Sequence, residues 1–258
     1  MKPEAIARVA RQFKKARLTK KPIDGLRNGD RPSDTDEGYA IQEALHEQIE
    51  TPVAGFKIGC TTTVMQEFLN IDQPCAGRIL KTDIHTSPVE LPHASFQRVG
   101  VECEIAVRLG QDLLPRRTPY DRHTVDGAVS ACMAAIEIVD DRYVDYTKLD
   151  VPTLIADDFF GAGCVLGTAH RDWENLASIA GTMFLNGEPV GSGTGAHVMG
   201  HPFEALAWLA NTLAHRGQAL SANDIVLTGS IVETHWVDAG DHVKVSIGGL
   251  GDAEVVFT

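Results

Sequence analysis

The chain is poor in the features that most readily announce a function. Its five cysteines, Cys60, Cys75, Cys103, Cys132 and Cys164, are odd in number, scattered, and never spaced as a CxxC pair. That pattern fits neither a disulfide framework nor a Cys-rich zinc site, so reduced thiols in a cytoplasmic protein are expected. No apolar run approaches the length of a membrane span. The N-terminal Met-Lys-Pro-Glu leads into a basic amphipathic segment without the apolar stretch of a secretory signal. Also missing are an HExxH zinc helix, a GxSxG nucleophile elbow and the GK[ST] of a phosphate loop. Positive charge is scarce, and the net charge of −12 argues against a nucleic-acid binder.

The negative charge is unevenly spread. Residues 1–31 hold ten of the 23 basic residues and three acids, so this segment carries +7 and the remainder −19. A basic amphipathic helix can seek a membrane surface or nucleic acid. Docking onto the acidic body of the protein, or onto a neighbouring subunit, is the simpler expectation. A chain of 258 residues, 43% of them hydrophobic, can bury a sizeable core in one domain with a small appendage.

Within residues 4–17, Ile6, Val9, Ala10 and Phe13 recur at helical spacing. A turn-rich connector follows, and Asp34 with Glu37 forms a capping-box variant before a helix running to about residue 50. Residues 1–50 are therefore expected to form a helical N-terminal arm, and residues 51–258 a β-rich catalytic domain. Val53–Gly59 is a strand, Thr61–Thr63 caps a short helix through Leu69, and 84–98 is loop-like. Residues 121–135 suit a helix leading into a strand at 135–139, 147–157 is helical, and 161–167 is a Gly-bounded strand. Asn186-Gly187 marks a hairpin, a helix spans about 203–215, and alternation returns at 225–227, 243–247 and 253–257. Many strands with few intervening helices predict an α+β fold with a mostly β core. Gly191-Ser192-Gly193-Thr194-Gly195-Ala196 matches GxGxxA, but no acidic strand end follows about twenty residues later, so a Gly-rich connector is expected. His197 and His201 lie four apart, yet Gly200 and Pro202 break a shared helix face, and His201 is expected to cap the next helix.

Val101 to Leu109 alternates strictly, with Glu102 and Glu104 on the same side of a half-buried strand. Ala135-Ile136-Glu137-Ile138-Val139 sets a lone acid in an apolar run, which is costly in a dry interior unless the charge is paired or metal-bound. Glu102, Glu104 and Glu137 are thus candidate ligands of a divalent cation. The alternative is ordinary surface acids plus an ion-paired Glu137. All-oxygen donors favour Mg²⁺ or Mn²⁺ over Zn²⁺. Lys57, inside an apolar strand, must reach water, pair, or serve a site.

Several segments in order, Gly55-Phe56-Lys57-Ile58-Gly59-Cys60-Thr61, Val101-Glu102-Cys103-Glu104-Ile105-Ala106, Glu137-Ile138-Val139-Asp140-Asp141-Arg142, Ile155-Ala156-Asp157, Gly200-His201-Pro202 and Leu227-Thr228-Gly229, resemble the hydratase/decarboxylase branch of the fumarylacetoacetate hydrolase superfamily. The resemblance covers roughly residues 35–257. It implies a mixed β-roll core with a helical N-terminal part, assembled as a homo-oligomer, and Mg²⁺ held by Glu102, Glu104 and Glu137. It also implies Lys57 as the catalytic lysine beside a bound 2-oxo acid, with Asp157, Thr228 and Gly229 on the substrate. The activity implied is a lyase of aromatic-compound catabolism, with a 2-keto-4-pentenoate-type hydratase first and a 4-oxalocrotonate-type decarboxylase second.

Three departures bear on that reading. Pro74-Cys75-Ala76-Gly77 has a cysteine where hydratases of the branch carry an acid. Asp158-Phe159-Phe160 sets two aromatics where small polar residues are usual, and Val99-Gly100 replaces a Pro-Arg. An acylpyruvate C–C hydrolase ranks third, because the His-Glu pair of such enzymes would have to be the adjacent His46 and Glu47. A non-catalytic subunit partnering another pathway enzyme is the rival from a different class.

Overall fold

The structure, a computed structural model, describes residues 1–27 and 29–258 apart from the Phe68 side chain. The described helices are α1 (Pro3–Thr19), α2 (Thr35–Gln48), α3 (Thr63–Leu69), α4 (Arg122–Asp126), α5 (Val151–Ala156) and α6 (Pro202–His215). The strands are β1 (Val53–Gly59), β2 (Cys75–Leu80), β3 (Ile84–Thr86), β4 (Val89–Leu91), β5 (Val99–Leu109), β6 (Val129–Asp140) and β7 (Gly161–Leu166). They continue with β8 (Ala180–Leu185), β9 (Glu188–Thr194), β10 (Ile225–Ser230), β11 (His235–Trp236), β12 (His242–Ile247) and β13 (Gly251–Phe257).

One sheet runs in the order β2-β1-β10-β5-β6-β7-β3, with β11 on β5, and a second runs β4-β13-β12-β8-β9. A flat sheet would hold β1 and β6 about 14 Å apart, three strand spacings, which is more than two side chains can bridge. Yet Lys57 Nζ of β1 lies 3.1 Å from Glu137 Oε1 of β6. The first sheet is therefore curled into a roll, with β2 brought towards β7. This is the mixed β-roll core with a helical N-terminal part that the family resemblance implies.

The curl gives β5 two buried sides. Val101, Cys103, Ile105, Val107 and Leu109 share one core with α6 and the second sheet. Ala106, on the other side, packs with Met133, Ala135, Cys164 and Leu227 inside the roll. The expectation of a half-buried strand is corrected accordingly: the roll covers the side that carries the acids. A separate core joins Val9 and Phe13 of α1, Ile41 and Leu45 of α2, Leu154 and Ile155 of α5, and Phe159. The basic α1 thus lies on the body of the protein, where Arg17 meets Asp157 and Asp158.

Three local expectations are corrected. Residues 121–135 form only the short α4 before entering β6. Alanines favour helix in isolation, but here they let a strand buried on both sides fit between β5 and β7. The stretch 84–98 contains β3 and β4, which add parallel edges to β7 and β13. The Gly-rich stretch is not a connector but the end of β9, paired with β8. His201 does cap α6, its Nδ1 accepting from the Phe203 amide at 3.0 Å.

A Cβ on Gly193 would stand 2.1 Å from the Ile231 carbonyl oxygen, so glycine is needed there for close approach and not for flexibility. Gly193→Ala is expected to lower the unfolding free energy by about 2 kcal/mol or more in urea melts. A neutral substitution would restore the connector reading.

Candidate active site

Antiparallel pairing of β5 with β6 places Glu102 directly opposite Glu137 and Glu104 opposite Ala135, whose small side chain leaves room beside it. One ligand oxygen from each of Glu102, Glu104 and Glu137 lies within 4.8 Å of the others, the one such group among the described residues. Glu104 and Glu137 are buried and Glu102 is partly exposed, so the trio opens on the Glu102 side. Glu104 Oε2 accepts from the Gly229 amide at 2.8 Å, and Glu102 Oε1 accepts from the Thr234 hydroxyl. Burial and the charge of Glu137 push the Glu102 carboxyl up to about 7, against the pull of Lys57 and Thr234. Burial and the neighbouring carboxylates hold Glu104 well above the ordinary range.

Two oxygens decide what the trio fits. Glu104 Oε1 is buried without a hydrogen bond, and the buried Glu137 Oε1 has Lys57 Nζ, 3.1 Å away, as its charge partner. Unsatisfied carboxylate oxygens in a dry interior are expensive. An oxygen-only donor set converging on one point fits a hard divalent cation.

Lys57 projects into the same interior from β1, opposite Gly77 of β2. A Cβ on Gly77 would stand 2.6 Å from the Asp158 carbonyl oxygen and 3.2 Å from Lys57 Cε, so only glycine admits both neighbours. The Phe159 ring centroid is 5.3 Å from Lys57 Nζ. Burial alone would lower the Lys57 pKa, but Glu137, Glu102 and Glu104 more than offset it and keep the ammonium charged.

The three residues implied in substrate binding are placed as follows. Thr228 Oγ1 donates to the Ile105 carbonyl at 2.7 Å, and Gly229 orients Glu104 through its amide. The fully buried Asp157 accepts from Arg17 at 2.7 Å and Arg142 at 2.7 Å, and Tyr143 donates to it at 3.3 Å. His46 is also committed, its Nε2 2.7 Å from Asp158 Oδ2, while its neighbour Glu47 is exposed. Sequence reasoning missed Thr234 beside Glu102 and the Arg17 link to both aspartates. An exposed-looking threonine and an arginine 140 residues from its partner carry no local signal. The visible hints were the Asp-Asp-Phe-Phe departure and the basic charge of residues 1–31, expected to dock on the acidic body.

The fumarylacetoacetate (FAA) hydrolase C-terminal family matches residues 78–258, and the chain belongs to that family. It is 34% identical over 263 residues to a 2-keto-4-pentenoate hydratase of Burkholderia vietnamiensis, an alignment covering 98% of each chain. It is 35% identical over 218 residues to a 2-hydroxyhexa-2,4-dienoate hydratase of Comamonas testosteroni, covering 83% of this chain and 81% of the relative. Among solved structures, 4-oxalocrotonate decarboxylase from Pseudomonas putida G7, complexed with magnesium and adipate, superposes with a TM-score of 0.93. That pair is 25% identical and covers 100% of this chain and 99% of the other.

Burial alone would raise the Asp158 carboxyl, but His46, Arg17 and the Arg78 amide hold it far below the ordinary range. A depressed folded-state value adds stability above the unfolded pKa near 4, and that stability is lost as pH falls below it. Asp158→Asn is therefore expected to cost about 3 kcal/mol at neutral pH. Its deficit against the parent should shrink in urea melts taken at progressively lower pH from 4 downwards. A deficit independent of pH would show that the charge of Asp158 is not what matters.

Proposed function

We propose that this protein is a divalent-metal-dependent lyase acting on a 2-oxo acid or its 2-hydroxydienoic form, a hydratase of the 2-keto-4-pentenoate kind. The observation that carries the reading is the convergence of Glu102 with the buried Glu104 and Glu137, one Glu104 oxygen lacking any hydrogen bond and Glu137 paired with Lys57. Near-full-length likeness to a 2-keto-4-pentenoate hydratase supports the reaction type. The magnesium in the decarboxylase neighbour supports the metal, with manganese as the second candidate.

Glu102, Glu104 and Glu137 would hold the ion. When bound, it would supply Lewis-acid stabilisation of the negative charge that develops on a 2-oxo acid during the reaction, worth several kcal/mol. Lys57 holds its proton at Nζ, close enough to the trio to transfer it to carbon or to meet the substrate carboxylate. Positioned proton transfer adds roughly 10²–10⁴-fold. The buried walls around Lys57 exclude bulk water, so the water added across the conjugated system enters from the Glu102 side.

A decarboxylase is the second reading, and Cys75 favours it. The neighbouring Cys60 and burial push the Cys75 thiol up, so it is neutral at neutral pH and a poor substitute for the acid of related hydratases. Loss of CO₂ needs the same electron sink but no activated water.

Glu104→Gln is expected to weaken magnesium binding by about two orders of magnitude in calorimetric titration while leaving the urea midpoint intact. Lys57→Ala is expected to keep magnesium affinity and lose about 10²–10⁴-fold in turnover of 2-hydroxydienoates, followed by ultraviolet absorbance. EDTA should abolish turnover and Mg²⁺ or Mn²⁺ restore it. Full activity in the chelated protein would end the metal reading, and evolved CO₂ would select the decarboxylase.

A further inference from the structure

Residues two apart on a strand share a side, so Lys57 and Gly59 of β1 face the same way as their partners Gly77 and Cys75 of β2. The segment Asp158–Phe160 is pressed onto this inner face. A Cβ on Gly59 would stand 3.2 Å from the Phe159 ring. Asp158, Phe159 and Phe160 have φ values of 56°, 48° and 66°, a left-handed run that non-glycine residues seldom adopt even singly.

The surroundings over-determine that run. Arg17 bonds Asp157 and Asp158 together at 2.7 and 2.8 Å, the Arg78 amide donates to Asp158 at 2.9 Å, and Phe160 meets Tyr143, Tyr146 and Phe159 edge-on. Backbone strain held in place beside a reactive group is a mark of functional positioning. What it positions here is the Phe159 ring beside Lys57.

The charges around this wall are already spent. Arg17 is bound by the two aspartates, and Arg142 by Asp157 and by the carbonyls of Asp157 and Gly161. Arg78 lies on the opposite side of β2, over the Phe56 ring. Arg108 sits four residues along β5 from Glu104, beyond the apolar Ala106, Met133 and Leu227. Among the described residues, Lys57 is the one cation on the inner face beside Phe159, and Glu137 already stands 3.1 Å from it.

We propose that Phe159 is a specificity-determining residue that selects 2-oxo acids with an uncharged, apolar distal end and rejects those carrying a second carboxylate. The inference rests on the reading of the glutamate trio and Lys57 given above. A substrate whose head meets the metal ligands and Lys57 lays its tail against Phe159. A distal carboxylate would lose its hydration there and find no cation in exchange. The same wall favours the monoacid hydratase over the diacid decarboxylase.

The test is calorimetric binding of two unreactive probes, 2-oxohexanoate and 2-oxoadipate, to the magnesium-loaded protein. The parent is expected to bind 2-oxohexanoate about 100-fold more tightly. Phe159→Gly removes the ring while glycine accepts the positive φ, and should cut that ratio to about tenfold or less. Phe159→Leu, which keeps apolar bulk, should retain most of it. Equal affinities in the parent, or an unchanged ratio in Phe159→Gly, overturns the inference alone. Failure of magnesium to bind, or of the loaded protein to bind either acid, overturns the functional reading and this inference with it.

Discussion

Three carboxylates brought within 4.8 Å of one another, two of them buried, are a constraint that the rest of the molecule answers. Lost hydration and mutual repulsion raise the Glu102 and Glu104 carboxyls, and positive charge placed among the three opposes that rise. Lys57 supplies one unit, and a divalent ion would supply the other two, leaving the cluster neutral. The curl of the sheet lets β1 deliver that lysine across β10 and β5 to β6. Ala135 and Gly77 then leave the space in which these long side chains meet.

Much of this was legible in the chain itself. Alternation through Val101–Leu109 placed Glu102 and Glu104 on one side, and the isolated Glu137 in an apolar run advertised a buried charge needing a partner. The pairing of Glu102 with Glu137 was not legible, because register between strands depends on the whole sheet. The alanine-rich approach to Glu137 looked helical, since local propensity says nothing about being wedged between two strands. The glycines of β9 mimicked a nucleotide loop for a similar reason: their role is to admit Ile231 and Val232 from a distant segment.

The ring over Lys57 depends on contacts that no window of sequence contains. Asp157 and Asp158 are adjacent and fully buried, an arrangement that depends on Arg17, Arg142 and His46 around them. One substitution pattern, two aromatics in place of small polar residues, thus became a wall only because an arginine from the first helix clamps the preceding acids. The N-terminal helix and the catalytic interior form one energetic unit, linked through a turn that neither could hold alone.

That linkage has a consequence for how the protein is made. Arg17 leaves the ribosome 140 residues ahead of Asp157, a wait of roughly 7–30 s at ordinary rates of synthesis. Through that interval α1 can shelter its apolar stripe against α2, and its arginine lacks its two aspartates. The wall beside Lys57 is therefore closed by a segment made well before the turn that it clamps.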